Sequence, residues 1–269
     1  MNICFIGGGN MASALICGLL DKGVAAAQIC AVEINAESRA RLQAEFSVRV
    51  FDSFAAAGKE SDVIVLAVKP QQLRELLQDI SPNLGDRLLL SVAAGIRAAD
   101  LARWAGSKNV VRAMPNTPAL IRSGMAGLYA LPGVAEARRQ QAQDILAAVG
   151  ETLWLEDEGM IDAVTAISGS GPAYVFYLME ALQSAAMELG FNARDARRLS
   201  LATFLGASKL AAGSAEEVSV LRARVTSKNG TTERGLQSLQ RNGVAAHIVA
   251  AARAAAERSR EMGDELGQQ

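Results

Sequence analysis

The sequence predicts an α/β N-terminal domain built on a doubly wound parallel sheet, followed by an all-α C-terminal domain. Three observations lead there. Short apolar runs alternate with helical patterns through the first half, as expected of a parallel sheet covered by helices. A glycine turn, Gly7-Gly8-Gly9, follows the first of those runs and opens the first helix. After about Glu158 the strand pattern stops and only helical segments follow. The predicted boundary therefore separates residues 1–158 from residues 159–269.

The strand segments are Asn2–Ile6, Gln28–Glu33, Val48–Val50, Asp62–Ala67, Leu88–Val92 and Val110–Ala113, with Met125–Ala130 and Thr152–Leu155 as edge strands. Helical segments between them are Met11–Leu20, Glu37–Glu45, Gln71–Ile80 and Val134–Val149. Gly23, Pro70, Pro82 and Gly85 mark junctions, where turn residues belong. In the second half the helices are Ala173–Leu189, Arg194–Ala212, Ala215–Arg224, Thr232–Asn242 and Val244–Leu266. Pairs and triplets of alanine recur there, and small side chains let helices approach closely, within one bundle or across two subunits. The polar tail Gly263–Gln269 is expected to fray.

The chain has 269 residues, half of them hydrophobic, which supplies ample apolar area for a core. Lys and Arg number 27 against 28 Asp and Glu, a net charge of −1. No basic field of the kind that nucleic acid or a membrane surface attracts is present, and no apolar run is long enough to span a bilayer. Cys4, Cys17 and Cys30 are an odd, sparse set without metal-type spacing, so they read as reduced thiols packed in the core. The start of the chain lacks a basic leader and enters a strand directly. A cytoplasmic protein is expected. His247 is the only histidine and lies in an alanine-rich helix, which argues against histidine-dependent triads and metal sites. Trp104 and Trp154 read as packing residues.

The run Gly7-Gly8-Gly9-Asn10-Met11-Ala12 fits G-x-G-x-x-A between a strand and a helix, the context a Rossmann-like dinucleotide turn requires. Gly7 permits the tight turn, Gly9 lets the backbone approach a pyrophosphate, and Ala12 allows close strand–helix packing. The helix start then offers amide donors to phosphate. Glu33, near the end of the second strand, sits where an acid hydrogen-bonds the ribose 2′-hydroxyl of NAD. Spacing alone leans to NAD, unless Asn35, Ser38 or Arg39 offsets that charge.

Four further segments admit both a functional and a structural reading. Ala67-Val68-Lys69-Pro70 closes the fourth strand at the ligand edge of the sheet, or is a strand exit with an exposed lysine. Met114-Pro115-Asn116-Thr117-Pro118 presents Asn116 and Thr117 at the same edge, or is a rigid turn. Ser168-Gly169-Ser170-Gly171-Pro172 opens a long helix with free amides, or is an ordinary cap. Thr226–Thr232 concentrates hydroxyls around Gly230 at a helix start, which suits a carboxylate better than capping alone.

These segments, in this order and over nearly the whole chain, resemble the pyrroline-5-carboxylate reductase family. The resemblance implies reduction of 1-pyrroline-5-carboxylate to L-proline, the last step of proline biosynthesis. It also implies a homodimer, or a higher oligomer, interlocked through an all-α C-terminal dimerisation domain. It places the dinucleotide on Gly7, Gly8, Gly9, Asn10, Met11, Glu33, Ala67, Val68, Lys69, Pro70 and Asn116. The substrate carboxylate falls on Ser227, Gly230, Thr231 and Thr232, with Thr232 beside the imine nitrogen as the catalytic candidate. NADPH is the first-choice cofactor on family grounds and NADH the second; no metal, nucleic acid or membrane partner is implied. The chain departs from the family pattern at Lys228-Asn229, where Pro-Gly is usual, and at Ala223, where an acid is common. Glu33 replaces the serine or threonine with which relatives often bind the 2′-phosphate. The alternatives are another imine or hydroxyacid reductase of similar layout and a non-enzymatic dinucleotide sensor. Against a hydroxyacid enzyme, Ala173–Leu189 contains no lysine.

Overall fold

The computed structural model describes residues 1–57 and 60–268. Its sheet has eight strands: β1 (Ile3–Ile6), β2 (Ile29–Val32), β3 (Arg49–Phe51), β4 (Val63–Leu66), β5 (Leu88–Ser91), β6 (Val110–Met114), β7 (Gly124–Ala130) and β8 (Gly150–Trp154). They lie in the order β3-β2-β1-β4-β5-β6-β7-β8. Neighbours run parallel except β6 and β7, which are antiparallel, so the last two strands oppose the rest. The reversal of strand order at β1 and β4 is the switch point at which doubly wound sheets bind ligands.

Burial explains why these segments are strands. Every residue of β1, β2, β4 and β5 is buried, the continuous apolar run of a sheet covered on both faces. Side chains alternate between the faces: Ile3 and Phe5 enter one core, with α1 (Asn10–Asp21), α2 (Ala36–Phe46) and α6 (Glu136–Ala147). Cys4 and Ile6 enter the other, with α3 (Phe54–Ala57), α4 (Leu73–Ile80) and α5 (Ala98–Ala105). Each large aliphatic side chain so buried contributes about 1.5–3 kcal/mol. The edge strand β8 alternates in exposure and is only half covered.

The chain divides into two compact units, Met1–Ser170 with Ala254–Gln269, and Gly171–Arg253. The composition change near residue 158 marks where strands end; compactness changes at Gly171 and again within the last helix. The first unit also holds α7 (Met160–Val164), which runs into a π-helical turn, Thr165–Gly169. The second contains α8 (Gly171–Glu188), α9 (Ala193–Ala212), α10 (Val218–Arg224), α11 (Thr231–Arg241) and the first part of α12 (Val244–Gly267). α8, α10 and α11 have no buried residue. Phe176, Tyr177, Leu205 and Leu210 are all more than half exposed.

Two expectations change. The tail does not fray as far as Gly267: Leu266 is buried in the second core with Met262 beside it. Arg97 pairs with Asp264 at 2.5 Å and Arg103 donates to the Gly267 carbonyl at 2.8 Å. A tail that reads as polar is thus the anchored last turns of α12, and of that tail only Gln269 lies outside the described residues. Helix α5, absent from the sequence reading, buries Leu101 and Trp104. No helix among the described residues is long and apolar enough to cross a membrane.

Candidate active site

The glycine turn begins where β1 ends. Gly7 N donates to Val32 O at 2.8 Å, and its φ of +99° is the left-handed region that favours glycine. A Cβ there would also lie 2.6 Å from the Ala67 carbonyl oxygen. Gly9 is different. Its φ of −73° suits any residue, and a Cβ on it would meet nothing within 4 Å. The protein's own packing does not demand glycine here; the open space fits a pyrophosphate brought close to the backbone. Gly9 is the N-cap of α1, so the amides of Asn10, Met11 and Ala12 have no intrahelical partner. Residues and space therefore fit a dinucleotide.

A cleft of about 630 Å³ runs along this edge of the sheet and brings together Gly7, Gly8, Gly9, Glu33, Ala67, Val68 and Lys69. Of the other candidates, Asn10 is exposed at the start of α1, Met11 is half-buried against the core, and Pro70 opens a single 3₁₀ turn. Lys69 is both exposed and on the cleft wall, so its two readings coincide. Sequence reasoning missed an apolar wall of Ile34, Phe54 and Leu76 and the acids Asp52, Glu75 and Asp79. No local pattern distinguishes these from ordinary helix and loop residues.

Glu33 is held firmly. Its Oε2 accepts from Gly8 N at 2.8 Å and its Oε1 from Asn35 N at 2.9 Å. Arg39 Nη1 donates to the Glu33 and Ile34 carbonyls at 2.7 and 2.8 Å. Arg41 Nη2 donates to the Gly8 carbonyl at 3.0 Å.

Asn116 lies just beyond β6 and its side chain is committed within the protein. Its Oδ1 accepts from Met125 N at 2.9 Å, while Nδ2 donates to Ser168 O at 3.1 Å and Ser168 Oγ at 3.3 Å. It pins the β6–β7 connection to the π-helical turn. That turn corrects the reading of Ser168–Pro172 as a helix opening with free amides. The chain is already helical before it, and Ser170 N donates to Thr165 O at 2.7 Å.

The Thr226–Thr232 segment forms the start of α11, with Gly230 as N-cap. The first-turn amides of Thr231, Thr232 and Glu233 lack intrahelical partners, whereas Arg234 N reaches Gly230 O at 3.2 Å. Asn229 adopts φ 61°. Asparagine is among the few non-glycine residues at ease there, so this turn is made without a glycine at 229. Glu233 Oε2 accepts from Asn229 N at 2.7 Å and locks it. A hollow of about 310 Å³ at this helix start is lined by Asn229, Gly230, Thr231, Glu233, Arg234 and Gln237. Ser227 and Thr232 are exposed but do not line it. Arg234 and Gln237 escaped the sequence reading; their spacing of four and seven from Gly230 was the available signal. Beside Ala223, Arg224 pairs with Glu216 at 2.6 Å.

The remaining candidates are structural. His247 is exposed. Trp154 donates to Gln143 Oε1 at 2.7 Å and lies under Arg139, 4.4 Å from its ring centre. Cys4 and Cys30 face each other across β1 and β2 and are buried.

A mainly parallel sheet in this strand order, with an open glycine edge at its switch point, defines a nicotinamide-dinucleotide oxidoreductase with an added helical part. Residues 2–95 match the family described as NADP oxidoreductase, coenzyme F420-dependent, and residues 158–262 match pyrroline-5-carboxylate reductase dimerisation. A pyrroline-5-carboxylate reductase of Pseudomonas aeruginosa is 50% identical over 268 residues, covering 99% of this chain and 98% of that one. Among solved structures, a pyrroline-5-carboxylate reductase of Coxiella burnetii aligns with TM-score 0.93 and 36% identity over 97% of this chain and 98% of that one. A pyrroline carboxylate reductase of Plasmodium falciparum with NADP bound aligns with TM-score 0.86 and 29% identity, over 98% of both chains. The chain belongs to the pyrroline-5-carboxylate reductase family.

Proposed function

We propose that this chain reduces 1-pyrroline-5-carboxylate to L-proline with NAD(P)H, as a cytoplasmic homodimer. One observation carries the reading beyond family membership: with Lys228-Asn229 in the loop, Asn229 supplies a left-handed turn and the α11 start has anion-receiving geometry. Amides left free at a helix start favour a carboxylate by hydrogen bonding and by the helix dipole.

The dinucleotide is assigned to Gly7, Gly8, Gly9, Asn10 and Met11 at the turn, and to Glu33, Ala67, Val68, Lys69 and Pro70 along the cleft. Asn116 serves that edge by fixing its loop. When bound, the reduced nicotinamide supplies the hydride. Ser227, Gly230, Thr231 and Thr232 hold the carboxylate of the substrate, and Arg234 adds a positive charge. The imine is the better electrophile when its nitrogen is protonated. A threonine hydroxyl is a weak acid, so Thr232 orients an already protonated nitrogen rather than supplying the proton. Positioning of this kind contributes several kcal/mol, while the cofactor carries the chemistry. The apolar side chains exposed on α8 and α9, Phe176, Tyr177, Leu205 and Leu210 among them, support burial against a second copy.

The test follows the near-ultraviolet absorbance of NADPH or NADH with 1-pyrroline-5-carboxylate, together with amino-acid analysis for proline. Cofactor oxidation with stoichiometric proline is expected. Oxidation with other imines or ketoacids but not with this substrate would overturn the proposal.

A further inference from the structure

We infer that Glu33 sets the dinucleotide preference of this chain, by denying net affinity to the 2′-phosphate that distinguishes NADPH from NADH; the inference rests on the proposed use of the cleft by NAD(P)H. In sheets of this order an acid at the end of β2 lies beside the adenosine ribose and accepts from its 2′-hydroxyl. Glu33 directly follows β2 and lines the cleft. It is no loose surface group. Each carboxylate oxygen accepts a backbone amide, Gly8 N at 2.8 Å and Asn35 N at 2.9 Å. Its own amide donates to Phe51 O at 2.9 Å. Swinging the side chain aside for a phosphate would strip both amides of their acceptor, a cost on top of the charge.

The two nearest cations are held by the main chain. Arg39 and Arg41 each direct a guanidinium nitrogen at main-chain carbonyls, those of Glu33, Ile34 and Gly8. The cleft wall itself adds Asp52, Glu75 and Asp79 against Lys69. A phosphomonoester carries about −1.5 to −2 charges at neutral pH, and here it would approach a carboxylate fixed by two backbone amides, with Arg39 and Arg41 directed at main-chain carbonyls. The ribose hydroxyl meets no such repulsion and gains an acceptor. NADPH can still bind through the rest of the molecule, but its extra phosphate brings nothing.

The experiment measures equilibrium binding to the full chain by fluorescence of the reduced nicotinamide, without substrate. In the native protein, adenosine 2′,5′-bisphosphate should displace NADH no better than 5′-AMP does. E33Q keeps an oxygen for the Gly8 amide and removes the charge; it should raise the ratio of NADPH to NADH affinity by about tenfold. E33S should move the ratio the same way. Two results would overturn the inference while leaving the proposed function standing. One is a bisphosphate that competes tenfold better than AMP against the native protein. The other is an affinity ratio unmoved in both variants while both dinucleotides bind. Should neither variant fold, the competition on the native protein decides alone. Failure of the native protein to bind either dinucleotide would overturn the proposed function, and this inference with it.

Discussion

Replacing Asn116 separates a residue that touches the dinucleotide from one that holds the loop beside it. The Asn116 side chain makes three hydrogen bonds, to Met125 N, Ser168 O and Ser168 Oγ. Asn116→Asp keeps the acceptor for Met125 and loses both donors, so a partly buried carbonyl faces a carboxylate instead of an amide. Leaving such a group unpaired costs about 1–3 kcal/mol. Asn116→Ala removes all three bonds at about 0.5–1.5 kcal/mol each, roughly 1.5–4.5 kcal/mol together. Chains of this size lose about 2–4 °C of melting temperature per kcal/mol, so the aspartate variant should melt about 2–12 °C lower. Both tryptophans, Trp104 and Trp154, lie in the unit that contains Asn116, so urea unfolding followed by their fluorescence reads the right region. The expected result is a lowered midpoint with nearly native dinucleotide affinity at temperatures where the variant is folded. An unchanged midpoint with lost dinucleotide affinity would refute the reasoning and make Asn116 a direct contact.

Four other outcomes follow from the geometry. Gly9→Ala adds a methyl that meets no protein atom; stability should fall by no more than about 1 kcal/mol, while dinucleotide titrations show at least about tenfold weaker binding because the pyrophosphate loses its close approach. Equal affinity would remove Gly9 from the cradle. Glu158→Ala leaves Arg112, with 5% of its side chain exposed, without its partner at 2.9 Å and the Ala98 amide without its acceptor at 2.7 Å; urea unfolding should show a loss of about 3–5 kcal/mol, and a native midpoint would contradict the pairing. Thr232→Ala should lower kcat with dinucleotide affinity unchanged, and unchanged turnover would take Thr232 out of the reaction. The Cys4 thiol is pushed well up by its hydrogen bond with Cys30 and by burial. The same bond lowers the Cys30 thiol, but Cys4 and Cys30 are both buried, so a disulfide reagent should label Cys17 alone in the native protein and all three thiols after unfolding.

The sheet was legible because its strands β1, β2, β4 and β5 are buried on both faces and therefore read as unbroken apolar runs; each expected strand is found within two residues at either end. Helix α5 was not, and the last helix, legible to Leu266, was expected to fray at its end, since both depend on what these residues pack against. Gly263 and Asp264 look like a polar tail until Arg97 is placed beside them. The site divides in the same way. The glycine turn is a local motif and announces itself. The clamp on Glu33 joins residues 25 positions apart, and the Asn116–Ser168 contact spans 52, so neither leaves a mark on neighbouring sequence. The left-handed Asn229 lies between. Asparagine in a glycine's place hints at a positive φ, but only the backbone establishes it.

Helix α12 has 24 residues, a rod of about 36 Å, and the chain's division into units falls within it. No single cut in the polypeptide therefore yields two intact halves. A fragment ending before the helical part would lack Met262 and Leu266, and its second core would be left with a gap that those side chains now fill. Grafting the dinucleotide half onto another scaffold should carry residues 254–268 along as a separate piece, supplied in trans or rejoined through a new linker. Chimeras exchanged between relatives at a single crossover would inherit a mismatched closing helix unless both ends came from one parent.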